Sequence, residues 1–300
     1  MKIINFGSLN IDKTYQVQDF VNPGQTIFAS SFRTFAGGKG LNQSIAIARA
    51  GSKVIHAGSI GEDGGFLLEL LKASGADTSR IQILDAPSGH AIIEVNASGQ
   101  NRIIVYGGTN QMLTEEYIDS VLDLGSPDED IVLLQNETNL IGSIIAKAHQ
   151  RGLKVAFNPS PMPSDLERLP LHCVDYFIVN EIEAAQLAGV SATDSYEDTL
   201  SALTQKYPQA AILMTLGHHG VLFEKDRDRH SHPIFRVDTV DTTAAGDTFC
   251  GYFLSALCRG ADIDTALKES SAASAIAVSR QGAAPSIPSY QEVLAFLASR

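Results

Sequence analysis

The chain has 300 residues, 44 % hydrophobic and 7 % aromatic, no tryptophan, and a formal net charge of −12. That size and composition suit one aliphatic α/β core with an appendage and exclude a disordered or fibrous chain. The acidic balance argues against a nucleic-acid partner, whose phosphates need clustered Lys and Arg.

The N-terminal run "MKIINFGSLN" is strand-like and lacks the small-residue cleavage site of a signal peptide. Apolar runs such as "IAIARA" and "IVLLQ" are too short to cross a bilayer, so no membrane partner is expected. Cys173, Cys250 and Cys258 are odd in number and form no CxxC, which fits a reducing cytoplasm and neither disulfides nor structural zinc.

In chain order, the apolar runs predict strands at Lys2–Gly7, Lys53–Gly58, Ile131–Gln135, Lys154–Asn158, Tyr176–Asn180, Ala211–Thr215 and Val221–Glu224. Helical spacing lies between several of them, at Gly40–Ala50, Phe66–Ser74, Leu140–Arg151, Glu181–Ala188 and Tyr196–Tyr207. Strands alternating with helices imply βαβ units, hence a three-layer, Rossmann-like α/β core on a mostly parallel sheet. Gly51, Gly75, Gly152 and Gly189 each follow a helical run, as left-handed C-terminal caps do. No repeat and no long linker divides the chain, so residues 1–300 read as a single domain. Two segments, about 13–35 and 89–107, break the alternation. The second, "GHAIIEVNASGQNRIIVYG", reads as two strands around a polar turn. Together they predict a small β-sheet inserted into the core, either a lid over a ligand or an edge extension.

Common nucleotide motifs fail one by one. "FGSLN" after the first strand is not GxGxxG, and the Gly-Lys of "AGGKGLNQS" is followed by Gly where a P-loop needs Ser or Thr. There is no HExxH and no GxSxG, and His218–His219 sits in a glycine-flanked turn without a third metal ligand. What remains is polar residues at successive strand ends: Asn10 and Asp12, Asn136 and Glu137, Asn158, Asn180 with Glu181 and Glu183, and Thr215 with Gly217. Loops are rich in such residues for ordinary turn chemistry. Their recurrence at the carboxyl ends of parallel strands, where open α/β sheets bind ligands, favours one shared site.

The stretch "DTTAAGDTFCG" (241–251) places two aspartates six positions apart, separated by small residues, before a run whose Phe249, Phe253 and Leu257 recur at helical spacing. Ala244, Ala245, Gly246 and Asp247 therefore stand at a helix N-terminus, where free N–H groups and the dipole favour an anion and small side chains let a phosphate approach. Asp247 in that turn can stay ionised and take a proton from a substrate hydroxyl. Alternatively, it is only a favourable first-turn acid. Taken with "GGKG" and the strand-end cluster, phosphoryl transfer leads.

"DTTAAGDTFCG" and "AGGKGLNQS" resemble the two signatures of the ribokinase-like carbohydrate kinases, the phosphofructokinase-B family. The likeness runs in order through "GSLNID", "NPSP", "VNEIEA", "TLGHHGV" and "SRQGAAPSIP", nearly the whole chain. The resemblance implies a ribokinase-like fold and an ATP-dependent kinase of a small sugar, with Asp247 as general base and the amides of Ala244, Ala245 and Gly246 around the transferring phosphoryl. It implies that Asn10, Asp12, Gly38, Lys39, Asn42 and Glu137 hold the sugar, and that Asn180, Thr215, Gly217, Gly220, Gly246 and Ser271 line the ATP site. Glu183 is implied to help hold Mg²⁺ through water, and Asp241, Thr243, Ala277, Arg280, Gly282 and Ser286 to form a K⁺ loop. The alternating apolar positions of the inserted strands (Ala91, Ile93 and Val95, then Ile104 and Tyr106) need a face to bury, so a homodimer joined through the lids is the expected assembly. Ala36, Lys13, "LQNETN" and Ser271 depart from the family pattern, which leaves the sugar open. The dense polar set favours D-ribose, phosphorylated at its 5-hydroxyl, over hexoses or a nucleoside, whose base needs an apolar platform. Another pentose, a hexose derivative, a nucleoside or a non-catalytic sugar-binding regulator are the alternatives.

Overall fold

The apolar runs form strands and the periodic stretches form helices, in a computed structural model that describes residues 1–191 and 193–300. The first part contains β1 (Ile3–Phe6), β2 (Asn10–Gln16), β3 (Ser31–Gly37), α1 (Lys39–Arg49), β4 (Val54–Gly61), α2 (Gly65–Ala73), β5 (Asp77–Leu84), β6 (Gly89–Val95) and β7 (Asn101–Tyr106). There follow α3 (Glu115–Leu122), β8 (Ile131–Gln135), α4 (Ile141–Gln150), β9 (Lys154–Asn158), β10 (Tyr176–Asn180), α5 (Glu181–Ala188) and α6 (Tyr196–Lys206). The chain ends with β11 (Ala211–Thr215), β12 (Val221–Lys225), β13 (Asp228–His232), α7 (Ala245–Cys258), α8 (Ile263–Val278) and α9 (Tyr290–Ala298).

A nine-stranded sheet runs β13-β12-β11-β10-β9-β8-β1-β4-β5. It is parallel from β11 to β5, with β12 antiparallel to β11 and β13 antiparallel to β12. Helices α1, α2, α7, α8 and α9 bury their apolar sides on one face, around Ile45, Leu67, Phe253, Leu267 and Val293. Helices α3 to α6 cover the other, around Ile118, Ile145, Leu187 and Leu203. A strand covered on both faces reads as a continuous apolar run, which is why "IINF" and "IVLLQ" are buried at every position. The chain leaves β1 toward β4 on one side and returns to β8 on the other, so the sheet's order reverses at the β1–β8 pair. That reversal opens a crevice at the carboxyl ends of these strands.

Helix ends follow the expected chemistry. Gly51, Gly75, Gly152 and Gly189 all have positive φ, between 71° and 91°. Asn180 and Ser289 open α5 and α9 with complete capping boxes. Two strands and three helices go beyond the sequence expectation: β5, β13, α3, α8 and α9. β5 and β13 are the edge strands, where polar residues interrupt the apolar run; α8 is rich in Ala and Ser, which blunts its periodicity.

The inserted segments form a second sheet of four strands, ordered β3-β2-β6-β7. It begins earlier than expected, since Asn10 and Asp12 lie within β2 rather than in a loop after β1. The crossings between core and small sheet converge on the buried Asn110. Its Oδ1 accepts from the Leu9 amide at 3.0 Å, and its Nδ2 donates to Asn10 Oδ1 at 2.7 Å. A Cβ on Gly89 would lie 2.1 Å from Asn110 Nδ2 and 2.4 Å from Asn10 Oδ1, so only glycine lets β6 start there.

Candidate active site

The N-terminus of α1 lies against the end of β1 because two glycines cross. A Cβ on Gly40 would sit 2.3 Å from the Gly7 Cα, and one on Gly7 2.5 Å from the Gly40 Cα. Gly38 turns the chain into the helix at φ 98°. The "GGKGLNQS" segment thus delivers Lys39, Asn42 and Gln43 to the crevice. One face away, Gly251 of α7 packs so closely on α1 that a Cβ there would meet Ala46 Cβ at 2.4 Å and the Gln43 carbonyl at 3.0 Å. This approach brings Asp247, one turn earlier on α7, beside α1.

Asp247 is 8 % exposed and held by amides at both oxygens. Asn42 Nδ2 donates to Oδ2 at 3.0 Å and Gln43 Nε2 to Oδ1 at 2.9 Å. Ala244, the N-cap of α7, is left-handed at φ 60°. Among the described residues the N–H groups of Ala244, Gly246 and Asp247 have no acceptor, whereas that of Ala245 donates to the Thr242 carbonyl at 3.2 Å. The amides open to an anion are therefore those of Ala244, Gly246 and Asp247, not the expected Ala244, Ala245 and Gly246. The first turn closes back on itself through Thr242, which the sequence does not signal.

Beyond Asp247 lie the other charged groups. Glu137 Oε2 accepts from the Lys39 amide at 2.9 Å and from the Ser8 hydroxyl. Burial pushes the Glu137 carboxyl above the ordinary range despite these bonds and the Lys39 charge. The Asp12 carboxyl is pushed up to about 6, first by burial and then by Glu137. Asp12 lies across Gly37, where a Cβ would come within 2.1 Å of its Oδ2. Burial alone would lower the Lys39 ammonium, but the carboxylates of Asp247, Glu137 and Glu183 outweigh it and hold it above the usual lysine value. Asn10 is buried on Asn110, with its Oδ1 taken and its Nδ2 free of protein partners among the described residues.

On the other side of the α7 N-terminus is a cleft of about 670 Å³. Thr215, Gly217, Gly220, Gly246 and Ser271, the residues the resemblance assigns to ATP, are brought together in its lining. Residues with no sequence signal complete its wall: Phe235, Phe249, Ala275 and Val278 among them. Asn180 lies outside this lining; its side chain caps α5, accepting from the amides of Ile182 and Glu183 at 3.0 and 2.8 Å. Glu183 returns one oxygen, Oε2, to the Asn180 amide at 3.1 Å.

Asp241 joins two loops. Its Oδ1 accepts from the Thr243 amide at 2.9 Å and the Thr243 hydroxyl at 2.6 Å, and its Oδ2 from the Gly282 amide at 2.9 Å. These bonds outweigh burial and hold its carboxyl below the usual range. Ala277, Arg280 and Ser286 flank the same turn, the Arg280 amide donating to the Ala277 carbonyl at 3.0 Å and the Ser286 hydroxyl to the Ala283 carbonyl at 2.7 Å. The Arg280 side chain points away, to Glu292 at 2.6 Å.

Phosphoryl transfer asks a protein chiefly for positioning and for stabilisation of charge, and a carboxylate beside open helix-terminal amides, between a charged pocket and a cleft with Arg236 in its wall, fits the kinase class. Comparison with known proteins makes this specific: the chain matches the pfkB family carbohydrate kinases over residues 1–290 and belongs to that family. It is 36 % identical to a ribokinase of Staphylococcus aureus, over 97 % of this chain and 98 % of that protein. A deoxyribokinase of Salmonella typhi is 30 % identical over 99 % of each. The structure of Arabidopsis thaliana ribokinase complexed with ribose and ATP superposes with a TM-score of 0.88 at 27 % identity, covering 99 % of this chain and 98 % of that one. The chain is thus an ATP-dependent sugar kinase with an α/β fold and a small second sheet. No helix among the described residues is long and apolar enough to cross a membrane.

Proposed function

We propose that the protein transfers the γ-phosphoryl of ATP to the primary hydroxyl of D-ribose, giving D-ribose 5-phosphate. The observation that carries this reading is Asp247, buried, held at both oxygens and adjacent to the open amides of α7. It accepts the hydroxyl proton as the oxygen attacks phosphorus, while the Ala244, Gly246 and Asp247 amides stabilise the transferring group. Asp12, Lys39, Glu137, Asn42, Asn10 and the Gly38 backbone take the remaining sugar hydroxyls. The names of the similar proteins support ribose, and the deoxyribokinase among them makes 2-deoxyribose the competing acceptor.

The oxygen donors suit both expected cations. Glu183 commits one oxygen to its cap and keeps the other for Mg²⁺, directly or through water. The Asp241 carboxylate fixes a loop whose carbonyls, with Thr243, Ala277, Arg280, Gly282 and Ser286, form an all-oxygen set suited to K⁺. Mg²⁺ supplies charge neutralisation at the phosphates, and K⁺ shapes the loop that leads into the α7 amides.

The four-stranded sheet serves as the lid of a single α/β unit. Its outer strands expose apolar residues on both faces, Ile104 and Tyr106 on one and Ile103 and Val105 on the other, and a second copy can cover one of these faces. A homodimer through this sheet is expected, and a monomer by sedimentation at micromolar concentration, with and without ribose, would contradict it. Three free cysteines, two of them buried, accord with a cytoplasmic setting.

ADP release measured across ribose, 2-deoxyribose, other pentoses, fructose and adenosine tests the substrate. Ribose is expected to show the highest kcat/KM. If another acceptor ranks first, the ribose assignment fails.

A further inference from the structure

Gln43 carries no charge and no reactive atom, yet its side chain is fully buried beside Asp247 with every polar position engaged. Its Nε2 donates to Asp247 Oδ1 at 2.9 Å and to Asn158 Oδ1 at 3.1 Å. Its Oε1 accepts from Gln135 Nε2 at 2.7 Å and from Cys250 Sγ at 3.6 Å. The neighbours are themselves fixed. Asn158, the last residue of β9, donates its Nδ2 to the Ile178 carbonyl at 2.8 Å, which leaves its oxygen facing Gln43. Gln135, the last residue of β8, donates also to Asn5 Oδ1 of β1 at 3.0 Å. Asn5 Nδ2 donates to Ser44 Oγ at 2.8 Å, and Ser44 lies 2.8 Å from Nδ1 of His56, whose Nε2 is 3.2 Å from the Gly7 carbonyl. A carbonyl can only accept, so Nε2 bears the His56 proton and Ser44 donates to Nδ1. The donors then diverge from Gln135: one branch runs through Gln43 to Asp247, the other through Asn5, Ser44 and His56 to the Gly7 carbonyl.

We propose that Gln43 is a positioning residue: the carboxyl edge of β1, β8 and β9, acting through this amide chain, fixes the orientation of the Asp247 carboxylate and stabilises its ionised form. The inference rests on the kinase reading and adds to it a residue that touches no substrate. A rotation of the Gln43 amide would set oxygen against the Asp247 carboxylate and nitrogen against nitrogen of Gln135, so the chain admits one arrangement. Asn42, the preceding residue of the same helix, holds the other oxygen, which fixes the carboxylate plane. The charged and titratable groups facing Asp247 are Lys39, Glu137 and Cys250, and none of them bonds to its oxygens.

Replacing Gln43 by Leu (Q43L) removes the Oδ1 donor and leaves the substrate residues in place. A hydrogen bond to the charged form of a carboxylate lowers its proton affinity. The acid limb of the kcat/KM profile is therefore expected to move to higher pH by about one unit in Q43L. At pH 7, kcat should fall roughly 10–100-fold, with KM for sugar and ATP unchanged within about threefold. In Q43E, of the same shape, a carboxyl facing a carboxylate should displace the limb further. A folded Q43L whose Asp247 carboxyl carbon titrates as in wild type overturns the proposal, whether or not kcat falls, because a merely structural role leaves that titration in place. If Q43L fails to fold by circular dichroism, the isosteric Q43E decides on the same criterion. The Asp247 carboxyl carbon, followed by ¹³C NMR, gives a readout independent of turnover. If wild-type protein releases no ADP with any sugar, the kinase reading falls, and an Asp247 titration unmoved between wild type and variant then overturns the role of Gln43 separately.

Discussion

The two halves of the site, on either side of the α7 N-terminus, are built by opposite means. The proposed sugar side gathers the half-buried Asp12, Lys39 and Glu137 around the buried Asp247, with Glu137 raising the proton affinity of Asp12 and the carboxylates raising that of Lys39. The proposed nucleotide side is a cleft lined largely by Thr, Ser, Gly and Ala, with apolar walls at Phe249 and Val278 and Arg236 among its lining. A pocket of fixed, desolvated polar groups discriminates strongly, because a wrong ligand leaves buried donors and acceptors unpaired. A cleft built on backbone and small side chains relies on shape and tolerates change. The contrast predicts that selectivity resides almost wholly in the sugar half.

The largest effect should come where the halves meet. Asp247→Asn is expected to lower kcat ~10²–10⁴-fold while ribose and ATP bind within a few-fold of wild type by calorimetry; turnover near wild type removes Asp247 from the mechanism. Next comes Gly37→Ala on the sugar side, whose new Cβ collides with the Asp12 carboxylate. Its sugar KM should rise roughly 10–100-fold and its ATP KM stay near wild type. Equal changes in both constants would break the comparison. Exchanging K⁺ for tetramethylammonium should lower activity about fivefold or more, a typical coupling between a loop and a neighbouring site; identical kinetics in both salts would dismiss the cation loop.

The smallest effect sharpens the comparison through stability. The Asp12 carboxyl titrates at about 6 in the fold against an ordinary value of 3.8. The folded state therefore binds the proton more tightly than the unfolded chain, and stability falls as pH rises from about 4 through 6. Above that window wild type bears the full penalty of an ionised, half-buried Asp12. Asp12→Asn should consequently raise Tm at pH 8 by roughly 2–4 °C while weakening ribose binding. Equal Tm values at pH 8 would count against the burial argument.

Much of this was legible in the residues. Ile131–Gln135, Lys154–Asn158, Tyr176–Asn180 and Ala211–Thr215 are strands with the bounds their apolar runs predict, because central parallel strands bury both faces and tolerate no polar interruption. Edge strands β5 and β13 face water and lost that signal. In the site, the charged residues and the strand-end Asn10, Asn158 and Asn180 were marked by type and position, whereas other neutral ones were not. Gln43, Gln135 and Asn110 look like ordinary polar residues until the fold sets them nine-tenths or more out of water. The engaged amide of Ala245 was equally invisible, since helix-terminal hydrogen bonding depends on where Thr242 turns back.

Asp12 belongs to a strand of the small sheet, while Glu137 and Asp247 belong to the core. Under the proposed roles, a sugar touching all three ties the sheet to the core and closes the crevice by the act of binding. Once the acceptor is bound, the sheet that carries Asp12 stands between bulk water and the transferring phosphoryl, so the sugar that supplies the hydroxyl also brings the wall that keeps the competing nucleophile out.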